Sequence, residues 1–293
     1  MFMAIGAIVV LVTVVGGYLW EGGHLGALYQ PAEFVIIGGA AAGSVLISTP
    51  SKILALGVQQ FKRVFGSDYG KDQYLDLLSM MYQLFKVIQQ SGIMTLESHV
   101  EEPEKSSIIA KYPKFLSRPS AVAFLSDSVK VIMAGGIAPH DLESLMDEDI
   151  EIFHENALKP TQALAKVADA LPGLGIVAAV LGVVITMGYI DGPPAEIGEK
   201  VGAALIGTFL GILLSYGFAQ PLAHKLEHEV EDETRYLVCI KAGLYSAFRG
   251  FPPAIAVEFA RRVIPGDLRP TFDETEQACK GITRADTTES VAA

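Results

Sequence analysis

The chain has 293 residues, of which 51% are apolar and 19% charged, with a formal net charge of -11 and a mean hydropathy of +0.38. That acidic balance excludes a nucleic-acid-binding protein, since a phosphate backbone is held by clustered Lys and Arg. Two cysteines, Cys239 and Cys279, are too few and too far apart for a disulfide framework or a metal site.

A helix needs ~20 mostly apolar residues to cross about 30 Å of hydrocarbon. Four runs meet this requirement, at 2–20, 32–50, 171–190 and 201–220. They carry no Asp, Glu, Lys, Arg or His except Glu33, at the mouth of the second. The first run is too long for a signal-peptide core and lacks a basic leader and a cleavage site, so it reads as retained. The chain is therefore expected to be all-α, a polytopic membrane protein with four transmembrane helices in two hairpins.

Between the hairpins, the segment 51–170 reads as helical. Tyr74, Leu77, Leu78, Met81, Leu84, Phe85 and Ile88 recur at helical spacing, and Gly92 is placed to end that helix. A second helix is expected over 120–133, ending at Gly135-Gly136, and a third begins near His140. The stretch 141–155 is acidic throughout, which suits either a solvated helix face or a docking surface for a basic partner. Beyond the fourth span, 222–236 alternates charge and carries that helix onward. Pro252-Pro253 breaks the chain, and the last fifteen or so residues read as disordered.

Of the 22 Lys and Arg residues, all but Lys200 lie at 52–166 or 225–284. The positive-inside rule then puts both termini and the segment 51–170 in the cytoplasm, with two short loops outside. The expected organisation is a lipid-facing first hairpin (1–50), a helical cytoplasmic domain (51–170), a pore- and partner-facing second hairpin (171–221), and a cytoplasmic helix and tail (222–293).

The second hairpin carries small residues four apart: Gly175 and Ala179, Ala178 and Gly182, Ala204 and Thr208, Gly207 and Gly211. Such stripes let helix backbones approach closely in lipid. They serve either packing among the chain's own helices or contact with other subunits or a central partner helix. Gly39 and Gly43 repeat the pattern more weakly in the second span. Thr208, Ser215 and Tyr216 are the polar groups of span four. Pro172 falls at the expected start of span three, where its missing N–H is tolerated, and Pro221 at the exit of span four. Each proline is either structural or a hinge. There is no phosphate-binding loop, nucleophile elbow or ligand-spaced His/Cys cluster, so no enzyme and no cofactor are expected.

Taken together, several motifs resemble the motility protein A family of flagellar stator subunits, within the wider MotA/TolQ/ExbB proton-channel superfamily. They are Gly16-Gly17-Tyr18, Gly26-Ala-Leu-Tyr-Gln-Pro-Ala-Glu33, Leu145-Met-Asp-Glu-Asp-Ile-Glu151, Leu171-Pro-Gly-Leu-Gly-Ile-Val-Ala-Ala179, Gly207-Thr-Phe-Leu-Gly-Ile-Leu-Leu214 and Pro252-Pro-Ala-Ile-Ala-Val-Glu-Phe259. The resemblance spans residue 1 to about residue 275. It implies a pentamer in the bacterial inner membrane, surrounding the membrane helices of motility protein B, a peptidoglycan-binding subunit whose span bears an Asp. Ion flow through that complex drives the rotor through its switch protein FliG. The resemblance further implies functional roles for Pro172, Pro221, Thr208 and Tyr216, with Gly175 and Ala179 in the stripe where the partner helix fits. Glu97 matches the acidic member of the family's rotor-contact pair. The basic member aligns with the uncharged Gln89, and Lys86, one turn earlier, is the available substitute. Sodium-driven relatives carry threonines where this chain has Ala179 and Gly207, so the transported ion is expected to be H+. An energiser of ExbB or TolQ type is the alternative. The complete first hairpin argues against it.

Overall fold

The computed structural model describes residues 2–63 and 69–291, and every regular element among them is helical. In chain order the helices are α1 (Phe2–Trp20), α2 (Leu25–Leu28), α3 (Pro31–Ser48), α4 (Ser51–Arg63), α5 (Lys71–Ser91), α6 (Glu97–Glu101), α7 (Pro113–Leu116), α8 (Pro119–Ala134), α9 (Pro139–Met187), α10 (Pro194–Leu214), α11 (Gln220–Phe248), α12 (Pro253–Arg262) and α13 (Phe272–Val291). A π-helical turn, Ser215–Ala219, links α10 to α11. Four stretches are long and apolar enough to cross a membrane: Met3–Trp20, Leu25–Ser48, α9, and α10 with α11. The chain divides into two compact units, residues 1–67 with 157–229 and residues 68–156 with 230–293.

In the second unit α5 is the central helix. Tyr74, Leu77, Leu78, Met80 and Met81 are fully buried, so the helix is covered on more sides than one apolar stripe requires. It ends where expected, at Gly92, whose φ of 84° is open to glycine at little cost. Near its start the half-buried Arg118 guanidinium lies 3.5 Å from the centre of the Tyr69 ring and 5.3 Å from that of Tyr236, a cation–π stack on two buried rings. Helix α8 closely follows its expected range. The acidic stretch of α9 buries Leu142, Met146 and Ile150 at i,i+4 spacing and turns its carboxylates outward, although Lys241 pairs with Asp147 at 2.5 Å and Glu143 at 3.9 Å.

In the first unit α3 packs on α9 and α10, where Ile37 and Ala41 meet Leu171, Ala178 and Leu210. The span in α1 has none of its residues buried within the chain. Helix α4 is amphipathic. Its Gly57 faces Pro160, and Gln60 donates to the Ala157 carbonyl at 2.8 Å.

Three expectations change. First, α9 does not break before span three. Residues 157–170 are rich in Ala and contain no Gly, the helix runs on through Pro160, and Pro172 lies inside it rather than at its start. Second, α4 stands where the sequence reading placed no separate helix. Third, the tail expected to be disordered continues as helix to Val291. Its start is a capping box. Thr271 N–H donates to Glu274 at 2.7 Å, and Glu274 N–H donates to the Thr271 hydroxyl at 3.2 Å. Lys71, with help from these Thr271 contacts, holds the Glu274 carboxyl at about 2.

Candidate functional site

In the first unit α9 and α10 meet through backbone. A Cβ on Gly175 would sit 2.7 Å from the Gly207 carbonyl oxygen and 3.1 Å from the Gly211 Cα. A Cβ on Gly211 would sit 2.6 Å from the Leu171 carbonyl oxygen. Farther along, one on Gly182 would meet the Ala204 Cβ at 2.7 Å. The small-residue stripe thus serves the packing of this chain's own helices, because Gly and Ala allow the axes this near. Gly39 and Gly43, by contrast, have nothing within 4 Å. The apolar face left open on this pair includes Ile176, Val177, Val180, Leu181, Val184 and Ile185.

The expected pathway residues lie along this contact. Gly175 is buried in it, Ala179 and Thr208 are half-buried beside it, and Tyr216 is 59% exposed. Thr208 follows Gly207, and its Cα is 3.3 Å from where a Gly175 Cβ would stand. Pro172 is half-buried and Pro221 exposed.

Two residues at this contact were not picked out as site candidates. Glu33, in the first turn of α3, is only 8% exposed, and its Oε2 has no hydrogen-bond partner. The same oxygen would lie 2.5 Å from a Cβ on Gly207. Spans three and four carry no Asp, Glu, Lys, Arg or His of their own, yet α3 delivers a carboxylate to them next to Thr208. An ionisable side chain in such a place marks function by default. Its signal was visible, as the one charged exception in the four runs. The second residue is Ser215. Its hydroxyl donates to the Ala168 carbonyl at 2.6 Å, with both residues fully buried. No local pattern announces that bond, which joins residues 47 apart in sequence.

Near the prolines, a cavity of about 220 Å3 opens between α9 and α11. Asp169, Gln220, His224 and Glu227 line it, with Gln220 donating to Asp169 at 3.0 Å.

The rotor-contact candidates belong to the second unit. Lys86 and Gln89 lie on the last two turns of α5, and Glu97 opens α6. Buried Leu96 and Val100 anchor that short helix and leave Glu97 and Gln89 exposed and Lys86 half-buried. His99 is tied to the Ser106 hydroxyl at 2.7 Å, and burial pulls its pKa below the ordinary histidine value. Among the described residues neither Glu97 nor Lys86 takes part in an ion pair. Among those residues no cluster of His, Cys, Asp or Glu is arranged to hold a metal.

Comparison with known proteins accounts for this arrangement. The family model "Motility protein A N-terminal" matches residues 4–92, and "MotA/TolQ/ExbB proton channel family" matches residues 119–238. Motility protein A of Salmonella typhimurium is 42% identical over 283 residues, covering 96% of each chain. Motility protein A of Escherichia coli is equally similar, at 42% over 96% of each chain. Among solved structures, the C. jejuni MotAB structure matches with a TM-score of 0.75 at 19% identity, over 90% of this chain and 96% of that one, and supports the fold. The chain is a multi-pass membrane protein and belongs to the motility protein A family.

Proposed function

We propose that this chain is the A-subunit of a flagellar stator, which with a B-subunit forms a proton-conducting complex that converts ion flow into torque on the flagellar rotor. The observation that carries this is membership of the motility protein A family across nearly the whole chain. The match reaches the first pair of spans, which argues against an energiser of ExbB or TolQ type.

The finer parts of the reading follow from charge and packing. The one-sided distribution of Lys and Arg supports an inner-membrane protein with cytoplasmic termini and two spanning hairpins. The open apolar face of α9 and α10 suits contact with neighbouring copies in a pentamer, with the membrane helix of motility protein B, and with lipid. The rotor switch protein FliG is the expected partner of the face bearing Glu97, Gln89 and Lys86. Pro172, Gly175, Ala179, Thr208, Tyr216 and Pro221 lie on or beside the ion path. Spans three and four bring no Asp, Glu, Lys, Arg or His of their own, so the partner's aspartate supplies the group that takes up and releases the proton.

The transported ion is H+. A sodium ion needs several oxygen ligands to replace its hydration shell, and of the threonine positions used by sodium-driven relatives only Thr208 bears a hydroxyl here. The test is flux into proteoliposomes. The chain with its B-subunit should carry protons at a rate unchanged when sodium is replaced by potassium. The chain alone should carry none above background. Flux that requires sodium would overturn the ion assignment, and robust flux from the chain alone would assign the proton-carrying group to Glu33 instead of the partner.

For the rotor contact, Glu97→Lys should slow swimming more than Gln89→Ala, with both proteins still in the membrane. An exposed ion pair contributes only about 0–1 kcal/mol, so the effect is a partial loss of torque. Equal, negligible effects would move the contact to another surface, the acidic face of α9 first.

A further inference from the structure

Two prolines and one π-turn meet at a single hydrogen bond. Pro172, inside α9, has no N–H, so the carbonyl four residues back, that of Ala168, loses its helical donor. Ala168 is fully buried, so water does not replace that donor. The replacement is the Ser215 hydroxyl, also fully buried, at 2.6 Å. A serine within a helix ordinarily bonds its own preceding turn. Ser215 instead reaches another helix, which the glycine contact one turn away brings close.

Ser215 is also the first residue of the π-turn. The Gln220 N–H bonds back to the Ser215 carbonyl, five residues earlier, and Pro221 follows directly. A π-turn and a proline are both places where a helix bends. Ser215 therefore ties the weakened turn of α9, through its hydroxyl, to the widened turn before Pro221, through its backbone.

We propose that Ser215 is a positioning residue for torque generation: its hydroxyl stands in for the N–H that Pro172 lacks and couples flexing of α9 at Pro172 to flexing at the π-turn between α10 and α11. This rests on the stator reading, with both prolines acting in the conformational cycle. A hydroxyl has one proton to give. The tie is made or broken and not stretched, which suits an element with two discrete arrangements.

The test uses the full chain with its B-subunit and four forms: wild type, Ser215→Ala, Pro172→Ala and the double variant. Ser215→Ala strands a buried carbonyl and should raise the unfolded fraction of the purified complex roughly tenfold at a fixed denaturant concentration. It should also lower stall torque. In the Pro172→Ala background, residue 172 regains an N–H that bonds Ala168, so adding Ser215→Ala should change the unfolded fraction little. If Ser215→Ala fails to accumulate, the double variant should accumulate, and the same coupling is read from membrane levels. Equal effects of Ser215→Ala in both backgrounds, in either readout, would overturn the proposal, as would wild-type torque and stability in Ser215→Ala. The coupling is measured without torque, so it stands apart from the stator reading, which fails only if the wild-type complex neither conducts protons nor drives rotation.

Discussion

Gly211→Val removes the protein from the membrane. A Cβ at this position would stand 2.6 Å from the Leu171 carbonyl oxygen, 2.9 Å from the Gly175 Cα and 3.1 Å from the Gly175 N. All three are backbone atoms, so no side chain can rotate aside. Ordinary carbon contacts lie at about 3.5–4.0 Å, so α9 and α10 must separate by roughly 1 Å. Overpacking of this kind costs ~1–3 kcal/mol or more. Here it also strips contacts from the length of the helix pair, in a solvent that offers no hydrophobic force to restore them. Gly202→Ala is the control. Nothing lies within 4 Å of its Cβ position, and Ala is favoured over Gly by ~0.5–1 kcal/mol inside a helix. Membrane levels of Gly211→Val should fall below detection, while Gly202→Ala stays at wild type. A Gly211→Val protein at normal levels would show that the two helices have room this geometry denies them.

The four spans were legible because their signal is local: an uncharged run of the right length states its own solvent. The α5 and α8 boundaries were legible for the same reason, through Gly92 and Gly135-Gly136 at their ends. What escaped depends on residues that are distant in sequence or on signals of lower contrast. Ile53, Leu54, Gly57, Val58 and Phe61 follow helical spacing in α4 and line an apolar cavity of about 310 Å3, but a short half-polar helix stands out little beside a membrane span. The capping box Thr271-Phe-Asp-Glu274 was there to be read as the start of α13. Pro172 was placed at a helix start because proline is most often found there. The structure keeps the helix going through it and repairs the gap from another helix. Glu33 was visible as an exception, yet only the packing of α3 on α10 reveals its neighbour as Gly207.

Pro172→Ala lowers torque several-fold while leaving the complex assembled. The substitution suits the helix in every local respect. Alanine is the best helix former, the ring is lost, and residue 172 gains an N–H aimed at the Ala168 carbonyl. Insertion and partner binding are therefore expected to persist, with stability equal to or above that of wild type. Function falls because the local flexibility is reduced. In the wild type, the Ala168 carbonyl is held only across the helix contact, by Ser215, and α9 can bend there without breaking a bond of its own. In the variant the α9 ladder closes and the bend costs a backbone hydrogen bond, with ~0.5–1.5 kcal/mol added to each excursion. That slows each excursion by roughly 2- to 13-fold. Pro221→Ala acts on the partner helix, where the π-turn ahead of the proline no longer has a ring to accommodate. The measurement is stall torque of tethered cells beside co-purification of the B-subunit. Pro172→Ala complexes that assemble normally and still rotate at wild-type torque would remove the proline from the mechanism. Failure to assemble would make Pro172 a structural residue.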